Sequence, residues 1–200
     1  AEFVNKAATG RRDEINTCIA CNQACLDHTF SNILSSCLVN PRACHETELV
    51  IPIAKAKKRI AVVGAGPAGL AAATTLAERG HEVHLYDGAA QIGGQFNMAL
   101  RIPGKEEFSE TLRYFARRIE VTGVKLHLHT RIDAPTLAAK QFDEVILATG
   151  VTPRDPKIPG QDHPQVLSYI DVLLHKKPVG RKVAVIGAGG IGFDVAEYLT

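Results

Sequence analysis

Four cysteines near the amino end of the chain have a spacing that suits an iron–sulfur cluster. Cys18, Cys21, Cys25 and Cys37 form the pattern C-x2-C-x3-C-x11-C. Three thiolates within eight residues can bind one side of a compact cluster, and a fourth from farther along the chain can complete a [4Fe–4S] centre. Zinc is the alternative, although structural zinc more often uses two separated Cys pairs, or Cys with His. The spacing favours iron–sulfur and leaves zinc open.

The chain has five cysteines, all before residue 45, and the fifth stands outside this pattern. Cys44 follows a proline turn and precedes His45 and Glu46, and we expect it to be a buried structural thiol rather than a ligand. The start of the chain lacks the basic-then-apolar layout of a secretory signal, which predicts a cytoplasmic protein. Disulfides are therefore the least favoured use of these thiols, because clustered cysteines in a reducing compartment more often bind metal or do redox chemistry.

A glycine-rich turn is the second feature with chemical potential, because it suits the pyrophosphate of a dinucleotide. Gly64, Gly66 and Gly69 form G-x-G-x-x-G between an apolar run at residues 60–63, which predicts a buried strand, and an alanine-rich helix. Asp87 follows about twenty residues later, after a second apolar run, where an acidic side chain accepts hydrogen bonds from ribose hydroxyls. A chance glycine pattern is the alternative, but strand, glycines, helix, second strand and acid stand in the required order.

The same arrangement returns near the carboxyl end of the sequence. Residues 182–186 predict a strand, and Gly187, Gly189 and Gly192 form the turn into a helix. The strand and the acidic residue that would complete a ribose site would follow Thr200, so we expect this unit to continue beyond the given sequence. The repeat predicts two nucleotide-binding units in tandem.

The loop after Asp87 offers further groups for a ligand. Gly93 and Gly94 free the backbone for a close approach, and Gln95, Arg101 and Lys105 supply hydrogen-bond donors. An ordinary surface loop is the alternative.

Three more elements follow from hydrophobic periodicity. Residues 107–121 predict an amphipathic helix with core aromatics. Residues 124–129 alternate between apolar and polar side chains, which predicts a half-exposed strand with His127 and His129 facing water. Residues 142–148 predict another buried strand.

Composition narrows the class of protein. The 200 residues, 46% hydrophobic and 22% charged, are ordinary for a soluble globular chain of one or two domains. A formal net charge of +2 gives no case for nucleic acid, and no apolar run approaches a membrane span. The predicted fold is α/β, with Rossmann-like nucleotide-binding domains of three-layer ββα type preceded by a small cysteine-rich segment.

The order of these motifs resembles the family of bacterial NADPH-dependent 2,4-dienoyl-CoA reductases. The likeness covers nearly the whole chain and is carried by the cysteine pattern, CLVNPRACHE, VVGAGPAGL, IGGQF, IPGKEEF, ATG and VIGAGGIG. The family is grouped with iron–sulfur flavoenzymes such as trimethylamine dehydrogenase, in which a flavin barrel precedes tandem nucleotide-binding domains. The resemblance implies that hydride passes from NADPH to FAD, and that electrons then pass through a [4Fe–4S] cluster to FMN in the barrel. The implied substrate is an unsaturated acyl-CoA of fatty-acid β-oxidation.

The resemblance also implies domain bounds and site residues. Residues 1–17 would end the barrel, 18–50 would hold the cluster, 57–160 would bind FAD and 161–200 would begin the NADPH domain. The cluster ligands would be Cys18, Cys21, Cys25 and Cys37, without Cys44. FAD would contact Gly64, Gly66, Ala68, Gly69, Asp87, Gly94, Gln95, Lys105 and Ile132, and NADPH would contact Gly187, Gly189 and Gly192. No catalytic residue would lie in this stretch, because the catalytic acids belong to the barrel, and we expect the chain alone to be inactive.

Other functional classes fit the same motifs. One is an electron-transfer module like the cysteine-plus-flavin small subunit of glutamate synthase. Another is an enoate reductase or an enzyme of the trimethylamine dehydrogenase type. A zinc-stabilised binding module without a redox role is the third.

Overall fold

The computed structural model describes residues 2–200, and a four-stranded parallel sheet lies at its centre. The strands are β1 (Arg59–Val63), β2 (Glu82–Tyr86), β3 (Lys125–His127) and β4 (Glu144–Leu147), in the order β3-β2-β1-β4. In the register of the sheet, Val62 of β1 lies opposite Leu85 of β2 and Ile146 of β4. This arrangement confirms the predicted parallel α/β, Rossmann-like fold.

Helices and tight turns connect the strands and precede them. The α-helices are α1 (Phe3–Ala8), α2 (His28–Phe30), α3 (Pro67–Glu78), α4 (Phe96–Ala99), α5 (Phe108–Thr122), α6 (Ala134–Ala139), α7 (Tyr169–Leu173) and α8 (Gly190–Tyr198). A 3-10 turn at Arg12–Glu14 and a π-helical turn at Gln23–Asp27 shape the segment before the sheet. No helix within residues 2–200 is long and apolar enough to cross a membrane.

Helices α3 and α5 cover one face of the sheet and form the main core. Leu70 and Ala73 of α3 are fully buried and pack with Ile119 of α5. An ion pair between Arg118 and Glu78 also joins the two helices. Burial of aliphatic side chains stabilises the sheet by about 25 cal/mol for each Å² of apolar surface removed from water. The site residues at the strand ends are therefore carried by a rigid scaffold.

The opposite face of the sheet carries a cluster of stacked rings. His127 stacks on Tyr86 with ring centroids 4.5 Å apart, and on His84 at 5.2 Å. Phe142 packs edge-on against both His84 and Tyr86. The expectation that His127 faces water is therefore wrong, because neighbouring strands place aromatic rings beside it. His129, beyond the end of β3, is exposed as expected.

Two strand predictions differ from the structure for the same reason. The apolar run at residues 142–148 predicts a buried strand, yet β4 is shorter and Leu147 is 72% exposed. Residues 182–186 form no strand, and Ile186 is 79% exposed. β4 is an edge strand, and within residues 2–200 the 182–186 segment has no neighbouring strand to complete a hydrogen-bonded ladder.

A second, smaller core links the loop after β2 to the carboxyl end of the chain. Met98, Ile102, Leu173 and Val195 are buried together, with Tyr198 packed against them. This cluster therefore joins α4, α7 and α8. The two glycine turns therefore belong to one packed body of residues.

Candidate nucleotide-binding and iron–sulfur sites

The first glycine turn adopts the geometry that a pyrophosphate site requires. Gly64 has φ +108°, a left-handed conformation that favours glycine. A Cβ atom on Gly69 would collide with the carbonyl oxygen of Gly64, so only glycine lets the helix start so close to the strand. Gly66 caps α3 in an extended conformation, with φ −75° and ψ 178°. The first N–H groups of α3, including that of Ala68, have no partner one turn earlier in the helix and can face an anion.

Asp87 lies at the carboxyl end of β2, beside this turn. Its carboxylate accepts hydrogen bonds from the backbone N–H of Ala65 at 2.6 Å and of Ala89 at 2.8 Å. A carboxylate has about four lone-pair sites, so two acceptor positions are left for ribose hydroxyls. The structure therefore places Asp87 where a dinucleotide fingerprint needs its acid.

The loop at Gly93 and Gly94 lies directly against the glycine turn. Gly93 donates its N–H to the carbonyl oxygen of Ala65 at 2.7 Å. A Cβ atom on Gly94 would come within 3.1 Å of the Gly66 Cα atom, and Gly94 has φ +53°. Gln95 donates its side-chain N–H to the carbonyl oxygen of Val151 at 3.3 Å. The loop thus closes one side of the site and ties it to the chain that follows β4.

The remaining two residues predicted near FAD lie in different surroundings. Ile132 is half-buried. The chain just before it is bonded to the backbone of Asp87, since Thr130 donates its N–H to the Asp87 carbonyl oxygen at 2.8 Å. Lys105 instead extends towards the second unit, where its ammonium group pairs with Asp194 of α8 at 2.6 Å. The structure thus joins the chain just before Ile132 to the backbone of Asp87, and it pairs Lys105 with the second unit.

The second glycine turn repeats the geometry of the first. Gly187 has φ +115°, and a Cβ atom on Gly192 would collide with the Gly187 carbonyl oxygen. Gly189 caps α8 with φ −86° and ψ 179°, close to the values of Gly66. The turn therefore forms even though the preceding residues 182–186 are not paired in a sheet.

The four cysteines of the predicted cluster are all free thiols on a tightly turned segment. Cys25 lies on the π-helical turn, and the N–H of Ala20 donates to the Cys18 sulfur at 3.3 Å. Ser36 donates its N–H to the Ala24 carbonyl oxygen at 2.7 Å, which joins the chain beside Cys37 to the chain beside Cys25.

The donor set has the number and type of ligands that a [4Fe–4S] cluster needs. Within residues 2–200, however, no three side chains of His, Cys, Asp or Glu are gathered as metal ligands. The cluster assignment therefore stays a prediction.

The structure contradicts the expectation that Cys44 is a buried structural thiol. It is exposed and has φ +63°, so it is not a buried structural thiol. The proline turn before it directs the backbone along the surface, where an apolar thiol gains no packing.

Sequence reasoning missed two residues of this region. Ala65 contacts both Asp87 and the Gly93 loop, but only through its backbone, so its residue type gives no signal. Arg113 of α5 binds the segment that leads to the cysteines, with its guanidinium 2.8 Å from the Asp13 carbonyl oxygen. An arginine on the polar side of an amphipathic helix looks like any solvated charge in a sequence.

Comparisons with known proteins agree with this geometry. The model of the pyridine nucleotide-disulphide oxidoreductase family matches residues 58–200. A metal reductase of Desulforamulus reducens is 35% identical to this chain, over 99% of the chain and 30% of that protein. An NADH oxidase of Thermoanaerobacter brockii is 39% identical, over 99% of the chain and 31% of that protein.

A solved structure is also similar. The 2-naphthoyl-CoA reductase, in complex with 2-naphthoyl-CoA, matches with a TM-score of 0.93 and 38% identity, over 98% of this chain and 30% of that one. The chain thus spans less than a third of the length of these relatives. The family match covers more than half of the sequence and includes both glycine turns, and such a domain implies binding of a flavin and NAD(P). The chain therefore belongs to the pyridine nucleotide-disulphide oxidoreductase family and is part of an oxidoreductase.

Proposed function

We propose that this chain is the electron-transfer section of an NADPH-dependent 2,4-dienoyl-CoA reductase. The observation that carries the proposal is the repeated turn geometry. In both turns the helix starts close to the first glycine: a Cβ atom on Gly69 would collide with the Gly64 carbonyl oxygen, and one on Gly192 with the Gly187 carbonyl oxygen. Two such turns provide one site for a flavin and one for its nicotinamide reductant. Four thiols on the same chain provide a third centre.

The first turn is proposed to hold FAD. The Ala68 N–H would face the pyrophosphate, and Asp87 would accept from the ribose hydroxyls. Asp87 also disfavours a nucleotide with a 2′-phosphate at this turn, because two negative groups would lie close together at a cost on the order of several kcal/mol where water is scarce. The second turn, at Gly187, Gly189 and Gly192, would then take NADPH.

The cysteines are proposed to hold a [4Fe–4S] cluster. When bound, FAD accepts two electrons as hydride and the cluster carries electrons singly, so the pair can feed an acceptor elsewhere in the full-length protein. The chain's own part is to fix both groups: Cys18, Cys21, Cys25 and Cys37 by ligation, and the glycine turn by backbone contact. The FMN site and the catalytic acids would lie outside this chain.

The proposed acceptor is a conjugated acyl-CoA. The sequence resemblance supports it, as does the likeness to a reductase solved with 2-naphthoyl-CoA, which is itself an unsaturated thioester. The proposal makes the acyl-CoA the small-molecule partner, places the protein in the cytoplasm, and assigns no partner among nucleic acids or membranes.

The test uses the full-length protein that contains this chain, purified without oxygen. We expect FAD and FMN in the denatured extract, about four irons and four sulfides per chain, and NADPH oxidation that depends on a 2,4-dienoyl-CoA. The matching saturated acyl-CoA is the control and should not stimulate oxidation. NADPH oxidation at the same rate with and without the dienoyl-CoA would contradict the proposed substrate. Colourless protein that contains zinc would contradict the redox role.

A further inference from the structure

All five N–H groups of the Arg113 side chain have an acceptor nearby. The Nε atom donates to the Glu110 carboxylate at 2.8 Å. The other four N–H groups face oxygen atoms of the segment before the first cysteine: the carbonyls of Arg12 at 3.3 Å, Asp13 at 2.8 Å and Ile15 at 2.9 Å, and the hydroxyl of Thr17 at 3.5 Å. Only a guanidinium offers five donors in a fixed plane, so lysine cannot reproduce these contacts.

The bound segment leads directly into the predicted cluster site. Thr17 precedes Cys18, and its hydroxyl also lies 3.4 Å from the Glu110 carboxylate. The segment begins with the 3-10 turn Arg12–Glu14, in which the Arg12 carbonyl already accepts from the Ile15 N–H at 3.0 Å. The carbonyls of Asp13 and Ile15 receive their hydrogen bonds from Arg113. Arg117, one helical turn beyond Arg113, adds an ion pair to Asp13 at 3.0 Å.

The helix that carries Arg113 is packed on the helix of the first glycine turn. Ile119 of α5 belongs to the same buried cluster as Leu70 of α3, and α3 begins at that turn. A continuous path of packed groups therefore runs from the predicted flavin site to Cys18. Arg113 is the one residue of this path that binds the chain on the cysteine side through several backbone carbonyls at once.

From this geometry we infer that Arg113 is a positioning residue that sets the separation of the cysteine segment from the flavin site. The inference rests on the proposed function, because the separation matters only when electrons pass between the two centres. Electron transfer slows as the distance between two centres grows, so a displaced cysteine segment should slow transfer from the flavin to the cluster. Arg113 contacts neither centre, so its loss should leave each centre able to bind its cofactor.

The first experiment compares Arg113→Met and Arg113→Lys in the full-length protein. Arg154→Met is the control, because Arg154 is exposed and makes no hydrogen bond or ion pair within residues 2–200. Rapid mixing with NADPH should show flavin reduction at the wild-type rate in all variants. Transfer from the flavin to the cluster should slow several-fold in both Arg113 variants. Iron, sulfide and FAD contents should stay at wild-type values.

A second measurement does not depend on bound cofactors. Hydrogen exchange of residues 12–17 should become faster in Arg113→Met, while exchange in β1 and α3 should be unchanged. Wild-type rates of cluster reduction, or equal slowing of flavin reduction and cluster reduction, would overturn the inference. Unchanged exchange of residues 12–17 would overturn it too. A wild-type protein without iron would instead contradict the proposed function, and faster exchange in the variant would then still support the structural contact.

Discussion

The backbone N–H of Ala65 donates a hydrogen bond of 2.6 Å to the side chain of Asp87. This contact joins the middle of the glycine turn to the end of the next strand. The acid that would bind ribose is therefore also the residue that fixes the turn that would bind pyrophosphate. Losing its carboxylate would affect both parts of the nucleotide site.

We predict that Asp87→Ala weakens FAD binding by about tenfold or more. The change removes the proposed acceptor for ribose and the observed acceptor for the Ala65 and Ala89 N–H groups. A hydrogen bond to a charged group contributes about 1.5–3 kcal/mol. Titration of the apoprotein with FAD, followed by flavin fluorescence, gives the dissociation constant. Asp162→Ala is the control, since Asp162 is exposed and makes no ion pair within the described chain. Equal affinity of the two variants would show that Asp87 does not contact the nucleotide.

Gly69→Ala should destabilise the first nucleotide unit and lower its flavin content. Its new Cβ would meet the Gly64 carbonyl oxygen, which is backbone and cannot rotate away. Overpacking of this kind costs about 1–3 kcal/mol or more. Gly180→Ala is the matched control, because nothing lies within 4 Å of its added Cβ. Thermal unfolding should show a lower midpoint for Gly69→Ala alone, and equal midpoints would mean that the turn can relax at little cost.

Cys37→Ser should remove or destabilise the iron–sulfur cluster, whereas Cys44→Ser should leave it intact. Cys37 lies beside the backbone that is bonded to the Cys25 loop, while Cys44 is exposed farther along the surface. Iron and sulfide analysis of anaerobically purified variants provides the measurement. The reverse pattern, with Cys44 essential and Cys37 dispensable, would refute the ligand set.

The sheet and both glycine turns could be predicted because their signals are local. Residues 60–63 are an unbroken apolar run, and Gly64 and Gly69 stand at the spacing that one tight turn demands. The final turn at Gly187 is equally well specified, since its positive φ is encoded by the glycine itself. At these positions the local backbone preference of the residues is sufficient to predict the structure.

The features that were missed depend on contacts between distant parts of the chain. Arg113 binds carbonyl groups about a hundred residues earlier, and His127 is stacked on the rings of His84 and Tyr86 from β2. The hydrophobic periodicity of the sequence gives no indication of such contacts. Residues 182–186 failed as a strand for the related reason that a strand exists only with a neighbour, which a single sequence stretch cannot supply.

His127 should make the protein less stable in mild acid. Burial of the ring, and after it the nearby charges of His84, Lys140 and Lys125, lower the pKa of His127. In mild acid the unfolded chain therefore binds a proton at this histidine more readily than the folded protein does. The contribution of neutral His127 to the free energy of unfolding is complete above the ordinary pKa of about 6.5 and is lost as the pH falls from there towards the lowered pKa of the folded state.

The variant His127→Phe keeps a stacked ring but cannot titrate. Its thermal midpoint should therefore fall less than that of the wild type between about pH 7.5 and about pH 5.5. Glu82, whose pKa is lowered to about 2 chiefly by its hydrogen bond to Lys125, stays ionised across this range. His175→Phe, an exposed site, should keep the wild-type pH dependence. An identical fall in His127→Phe and wild type would exclude His127 as the cause.

Gly192→Ala should distinguish the two nucleotide sites of the full-length protein by weakening only the second. The added Cβ would collide with the Gly187 carbonyl oxygen and push α8 away from the turn, so NADPH binding should weaken. The collision does not involve the first turn. The variant should therefore retain FAD and still accept electrons from dithionite. Its rate of flavin reduction by NADPH should fall at least tenfold, with Gly180→Ala again as the control. The opposite result would be loss of FAD from Gly192→Ala, with rapid reduction by NADPH of any flavin that remains. That result would mean that the second turn binds the flavin, and the order of the two sites would have to be reversed.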